Sequence, residues 1–559
     1  MRFYILLFAL IFSALSASAE KAKLQRVGNS QQLYVDGRPF IVLGGELSNS
    51  SATNVADIDA VFPKLKEMGL NTVLVPVYWE LIEPEQDKFD FSLVDRVISK
   101  SNDYNIKIIF LWFGIWKNSM SCYAPAWMKT DMLHYTRACT STEKPLDIIS
   151  AFSENALAAE DKSFGNFISH IKQVDTRNNV IMIQIENEIG MLEDARDHSN
   201  MVNEIFAQNV PTELTSYLTK NKSTLHPYLA NKWESNGYKT DGTWSEIFGN
   251  DIYTDEIFMA YYYALYVEKL AKTAKFQYNI PLFVNAALNS RDRQPGEYPS
   301  AGPLAHLIDI WQCAAPSIDI LAPDIYDDGF ESWLKQYHLP NNPLFVPEMK
   351  LADDNGIKAF FAIGEHEAVG VSPFAIEQNQ NKNLKLAYDK INELIPLLSK
   401  WYGRNALHGF MLQNASDSKT FTDNDMNITV SHINSLPWFA ADSAAAAPIT
   451  GGLSIRLASD EYIIAGSGIV VNFDKVGEKK AGQLGVDGFA LQNGTPTDTE
   501  KWGYNDRIGI LSVDEINVTS NGSMTYLRRL NGDETHQGRH VRIAEGDYKI
   551  LHVKLYRYK

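Results

Sequence analysis

Between residues 40 and 377 one theme recurs eight times: a short apolar, β-rich run, then a stretch of different period. The runs occupy residues 41–47, 71–79, 106–114, 180–188, 281–289, 318–326, 344–350 and 368–377. Strands that are apolar on both faces need cover on both faces. Amphipathic segments such as VADIDAVFPKLKEMG, FSLVDRVISKSNDYN and NGIKAFFAIGEH supply it. Alternation of this kind predicts a parallel sheet wrapped by helices, and eight units predict closure into a (β/α)8 barrel over residues 20–410. An open doubly wound sheet is the competing architecture, but no Gly-rich dinucleotide fingerprint follows any of the runs.

Two insertions, residues 115–156 and 191–250, leave the C-terminal ends of strands three and four, the face where such barrels carry their sites. They hold Trp116, Trp127, Tyr135, Trp233 and Trp244, so they are expected to shape a pocket or lid. Past Trp401 the period changes. Residues 411–449, with AADSAAAAP, read as a connecting segment. Residues 450–559 read as an all-β, sandwich-like accessory domain, from LSIRLA, EYIIAGSGIVVNF, GFALQNG and YKILHVKLYRY. Packing on the barrel and binding polysaccharide are both open roles for it.

The first nineteen residues, MRFYILLFALIFSALSASA, have the parts of a secretory leader: Arg2, an apolar run and the small residues Ala17, Ser18 and Ala19. A membrane anchor is the alternative, but the run is shorter than the ~20 residues that a span needs. A secreted or periplasmic protein is therefore expected. The formal net charge of -17 argues against nucleic acid and anionic membranes and favours a neutral substrate. Of the three cysteines, Cys122 and Cys139 could close a short loop; three unpaired thiols is the other reading. No metal or cofactor is expected. DNDMN at 423–427 begins like a calcium loop but lacks its Gly and closing Glu.

The chemistry is expected at two strand ends. VIMIQIENEIG, residues 180–190, closes the fourth strand on Glu186, Asn187 and Glu188, although unpaired ions are costly to bury. Alternation puts Gln184, Glu186 and Glu188 on one face, with Glu188 at the rim and Glu186 below it as a structural carboxylate held by a cation or amide. PLFVPEMK closes the seventh strand on Glu348. Strands four and seven face one another across an eight-stranded barrel, so the two rim carboxylates can flank one sugar ring. Glycoside cleavage needs such a pair, one protonated and one ionised.

These motifs resemble the family 35 β-galactosidases of the retaining (β/α)8 glycosidase clan. The likeness rests on LYVDGRPFIVLGGELS, GLNTVLVPVYWELIEPEQDKFDFS, YAPAWMK and QIENEIG, and covers about residues 30–380. Three places depart from the family: Ile189 stands where Tyr is usual, Pro347 and Met349 flank Glu348, and IWKNS replaces a Cys-Ala-Glu loop. The resemblance implies Glu188 as acid/base, Glu348 as nucleophile and Asn187 on the sugar 2-hydroxyl. It also implies Tyr326 on the nucleophile, Glu46 on a hydroxyl, and Lys117 and Asn118 in place of the missing loop. Trp79 and Trp112 are candidate sugar platforms, and Trp116 and Trp244 candidate outer-subsite residues. The implied substrate is a terminal β-galactoside, such as side chains of plant xyloglucan. An endo-acting glycanase of the same clan, such as a mannanase, and a non-catalytic carbohydrate-binding barrel are the other readings. Oligomeric state is not legible.

Overall fold

The structure, a computed structural model, describes residues 21–289, 292–436, 438–439, 447–476 and 507–558. The leader read over residues 1–19 and the GFALQNG segment lie outside the described residues. All eight expected strands are present: β1 (Val42–Leu43), β2 (Thr72–Tyr78), β3 (Lys107–Lys117), β4 (Val180–Asn187), β5 (Leu282–Ala287), β6 (Ile320–Ile325), β7 (Phe345–Met349) and β8 (Gly370–Pro373). They pair in parallel in the order β1-β8-β7-β6-β5-β4-β3-β2. The ends then meet: Asn71 N donates to Leu43 O at 3.1 Å and Leu74 N to Gly45 O at 2.9 Å. The sheet is a closed barrel.

Every residue of β2, β4, β6 and β7 is buried, which explains their unbroken apolar character. Helix α1 (Glu154–Val174) covers β3 and β4; α2 (Ile252–Gln277) follows the second insertion. That insertion folds into short helices, Asn200–Phe206 to Trp244–Phe248. Helices α3 (Asn355–His366) and α4 (Lys382–Trp401) bracket β8.

The segment expected to connect the domains is instead part of the second one. Strand β9 (Leu407–Leu412) begins just before it, within the range expected of the barrel, and the segment itself holds β10 (Ser418–Asp423) and β11 (Met426–His432). There follow β12 (Thr450–Ala458), β13 (Glu461–Ser467), β14 (Ile469–Lys475), β15 (Arg507–Val518), β16 (Met524–Arg529), β17 (Val541–Ile543) and β18 (Lys549–Tyr558). They form two antiparallel sheets, β9-β12-β13-β18-β15-β16 and β10-β11-β14-β17. Phe410, Ile428, Ile464, Val471 and Leu551 make the core of this domain. The DNDMN stretch is the hairpin turn between β10 and β11, where Arg557 grips Asp425 through both oxygens.

The two domains share one apolar core, in which Phe361 and Ile363 of α3 join Leu453, Ile455 and Ile463. The close approach depends on Gly364. A Cβ there would lie 2.6 Å from Leu453 Cβ and 3.0 Å from Gly409 Cα. Gly364→Val should therefore cost about 1–3 kcal/mol of stability by overpacking. Denaturant unfolding of the purified variant tests this, and an unchanged midpoint would show that the helix–sheet contact is not close-packed.

Candidate active site

Glu188 and Glu348 are brought together at the C-terminal mouth of the barrel. One carboxylate oxygen each from Glu188, Asp324 and Glu348 lie within 4.8 Å of one another, and all three residues are buried. Glu46, at the end of the first strand segment, is buried beside them and acts electrostatically on the group. Four carboxyl groups thus share one poorly solvated space, where ionising all of them would be prohibitive. Burial pushes Glu46 and Asp324 well above the usual carboxylate range, and the charge of Glu348 pushes them further. Burial, then the charge of Glu348, raises Glu188 to about 7. Burial raises Glu348 too, against the opposing pull of Lys117 and of a hydrogen bond from Tyr326.

Lys117 is the cation whose field lowers all four. A register shift places it. Between β3 and β4 the pairing runs from Trp112 with Ile185 to Lys117 with Asn187, so β3 carries extra residues in a bulge. The bulge lays the Lys117 ammonium 2.6 Å from Asn187 Oδ1. Asn118 next to it donates its side-chain amide to Glu188 Oε2. The backbone amides of Asn118 and Ser119 donate to the carbonyls of Asn187 and Glu188 at 3.2 and 3.3 Å. Asn187 Nδ2, Glu46 Oε1 and Glu348 Oε2 are buried without a partner among the described residues, so they remain free to meet a polyhydroxylated ligand.

Below the rim, Glu186 is a structural carboxyl group. It accepts the backbone amides of Ile115 and Trp116 at 3.1 and 2.7 Å. Among the described residues no cation pairs with it; its other partner is Glu160 of α1, with which it shares a hydrogen bond. Glu160 also accepts from Trp112 Nε1 and Tyr266 Oη, each at 2.9 Å. Burial raises both carboxyls, Glu186 well above its ordinary value, so Glu186 keeps the proton and donates it to Glu160. The expected alternation along the strand end fails here. Glu186 and Glu188 have φ of 59° and 45°, in the left-handed region, and conformations of this sort cost about 1–3 kcal/mol each. Backbone bonds from the β3 bulge, and Asn285 Oδ1 accepting from Glu188 N at 3.0 Å, hold them there.

Several expectations about the other candidates change. Tyr326 does reach the predicted partner, its hydroxyl donating to Glu348 Oε1. The four tryptophans do not reach the site. Trp79 bonds Glu83 and packs on Trp112 and Trp127. Trp112 faces Phe164 and Phe167 of α1. Trp116 is wedged against Tyr263 and Tyr266 of α2, and Trp244 against Phe248 and Phe258. All four are fully buried, because these outward faces of the strands and the insertion helices need large rings to fill the layer beneath the helices. Asp324 was missed. It stands two residues before Tyr326 in the apolar run ILAPDIY, the same signal that marked Glu186, and accepts from Asn285 Nδ2 at 2.6 Å. The cysteines are free thiols.

Glu188, Asp324 and Glu348 would be the ligands of a hard cation, but three oxygens fall short of the six to eight that calcium takes, and Lys117 already supplies positive charge there. A His-x-x-x-His pair in the second domain, His536 and His540, lies beside Arg539 and Arg542 and has no third ligand among the described residues.

The support beneath the site rests on Gly114. A Cβ there would lie 1.9 Å from Glu160 Oε1 and 2.9 Å from Glu186 Oε1. Gly114→Ala should leave a folded protein whose catalytic rim is displaced, with turnover reduced by about 10²-fold. A folded variant with normal rates would show that the buried pair does not position the rim. Both carboxyls being raised, their contribution to stability is complete below the ordinary Glu value of ~4.3 and falls as pH climbs towards the raised ones. Glu160→Gln should therefore flatten the decline of melting temperature as pH rises above the ordinary Glu value of ~4.3.

Comparison with known proteins bears on the same region. Residues 49–258 match a glycoside hydrolase 42 family model described as "Beta-galactosidase", and residues 384–542 match one described as "Domain of unknown function (DUF5597)". The chain is 24% identical over 188 residues to "Beta-galactosidase-1-like protein 3" of Mus musculus, covering 32% of this chain and 26% of that one. It is 33% identical over 88 residues to "Beta-galactosidase" of Xanthomonas manihotis, covering 16% and 14%. The matched segments thus span 26% and 14% of these relatives' lengths. Among solved structures, the cold-adapted β-galactosidase from Rahnella sp. R3 aligns at 14% identity and a TM-score of 0.44, over 64% of this chain and 57% of that one. The β-mannanase of the blue mussel Mytilus edulis aligns at 10% and 0.40, over 66% and 96%. Residues 49–258 are thus similar to a glycoside hydrolase domain of β-galactosidase type.

Proposed function

We propose that this protein is a retaining exo-β-galactosidase, of the family 35 kind that its motifs resemble, acting outside the cytoplasm on terminal galactosyl residues of neutral saccharides. One observation carries the reading: two buried carboxyl groups have oxygens within 4.8 Å of one another, and Lys117 and a hydrogen bond from Tyr326 favour the anion at Glu348 while burial and the charge of Glu348 raise Glu188 to about 7. A separation of roughly 5 Å suits double displacement, in which no water need fit between carboxyl and sugar in the first step.

Glu188, raised to about 7, still carries its proton in a large share of molecules at neutral pH and gives it to the glycosidic oxygen as that bond breaks. Glu348, whose anion Lys117 and Tyr326 favour against burial, attacks the anomeric carbon and forms a galactosyl ester. Glu188, now a carboxylate, takes a proton from water, which attacks the same carbon and releases galactose. Asn187, its Oδ1 occupied by Lys117, offers Nδ2 to the sugar 2-hydroxyl, a contact that strengthens as positive charge develops on the ring. The leader-like residues 1–19 support export, and xyloglucan side chains are a fitting neutral substrate for an acidic protein.

On nitrophenyl β-galactoside, kcat/KM should fall as pH rises through about 7, because Glu188 then loses the proton it must donate. Lys117→Gln removes the charge that lowers Glu348, so its acid limb should move to higher pH; an unmoved limb would take Lys117 out of this role. Glu348→Gln should abolish turnover in a folded protein. Glu188→Ala should recover activity on aryl galactosides when azide is added, giving the β-azide. Absence of rescue in a folded variant would reassign the acid.

A further inference from the structure

A cavity of about 490 Å³ lies between the mouth of the barrel and the second domain. The barrel contributes the loops after β6 and β7, including Tyr326, and the second domain contributes Thr450, Ser467, Glu545 and Tyr548. Its volume falls in the ~300–1,000 Å³ range of sites that enclose organic ligands. Tyr326 joins it to the catalytic pair: the hydroxyl is on Glu348, while 45% of the residue is exposed.

Two buried polar atoms of its lining residues lack partners among the described residues. Thr450, at the start of β12, is 2% exposed, and its Oγ1 has no hydrogen bond. Asp354 pairs with Lys358 through one oxygen at 3.1 Å, and its Oδ1 is buried and unpartnered. Unmatched buried hydroxyl and carboxylate oxygens are costly unless a ligand or water meets them. The walls carry five carboxyl side chains, Asp353 and Glu545 among them, against two lysines. That balance disfavours an anionic ligand and suits one that offers many hydroxyl donors.

We propose that this cavity holds the part of the substrate beyond the scissile bond, a neutral oligosaccharide chain, and that the second domain thereby forms half of the leaving-group site. The proposal rests on the galactosidase reading above. Tyr326 marks the boundary between the ring that is cleaved and the chain that is released. Thr450 Oγ1 and Asp354 Oδ1 accept hydroxyl protons from that chain. A substrate with uronic acids next to the cleaved galactose would meet the carboxylates and bind poorly.

The test compares wild type with Thr450→Val, which keeps the side-chain shape, and Glu545→Ala, on an exposed loop. Each is assayed on nitrophenyl β-galactoside and on a neutral galactosylated oligosaccharide. Both variants should match wild type on the aryl substrate and lose about fivefold to tenfold in kcat/KM on the oligosaccharide, through KM. Equal losses on both substrates, or none on either, would overturn the proposal. Wild type inert on both substrates would instead defeat the galactosidase reading. The cavity is then judged by calorimetry with the galactose-free oligosaccharide: binding that Thr450→Val weakens supports it, and no binding, or binding the variant leaves unchanged, overturns it.

Discussion

One ammonium group set among four buried carboxyl groups is the constraint that organises this molecule. Left ionised without compensation, each carboxylate would cost several kcal/mol to bury. Lys117 compensates for about one of them, so the others must keep their protons. Burial pushes Glu46 and Asp324 well towards the protonated form and raises Glu188 to about 7, while Glu348 is the group that Tyr326 and Lys117 favour as the anion. The acid and nucleophile of the proposed reaction are distinguished by this sharing and not by their own chemistry, which is identical.

That arrangement makes demands on the chain below it. Lys117 reaches the site because β3 bulges against β4, and the bulge is pinned where Glu186 accepts the amides of Ile115 and Trp116. Glu186 in turn sits in a left-handed conformation and leans on Glu160, which α1 supplies. A second pair of carboxyl groups, sharing a proton and never meeting substrate, thus supports the pair proposed to do the chemistry. It answers why a strand this apolar ends in two glutamates: the lower one ties down the bulge that carries the cation for the upper one.

Much of this was legible from residue order. The eight strands were, because a barrel strand buried on both faces leaves an unbroken apolar run. Glu188 and Glu348 were, because a carboxylate at the end of such a run stands out. Asp324 and Glu160 were not, the first because it lies inside an apolar run and not at its end, the second because a glutamate on an amphipathic helix looks like a solvated one. Helix α2 was hidden by its own burial: fifteen of its residues are inside, so it shows no polar stripe of helical period. The tryptophans misled because a large ring fills a helix–sheet layer as readily as it stacks on a sugar. Strands β10 and β11 were read as a connection, and most of β9 as barrel, because the partners that bind them into the second domain lie far along the chain, β9 on β12 and β11 on β14.

The second domain is built into the barrel's core rather than tethered to it, through α3 and Gly364, so its loops have a fixed place near the catalytic mouth. The account stands or falls on which carboxylate bonds to the sugar. Treatment with a 2-deoxy-2-fluoro-β-galactosyl fluoride, followed by peptide mass mapping, reads this directly. A fluorogalactosyl ester on Glu348 is the expected result; an ester on Glu188 or Asp324, or an active protein that accumulates no adduct, would contradict it.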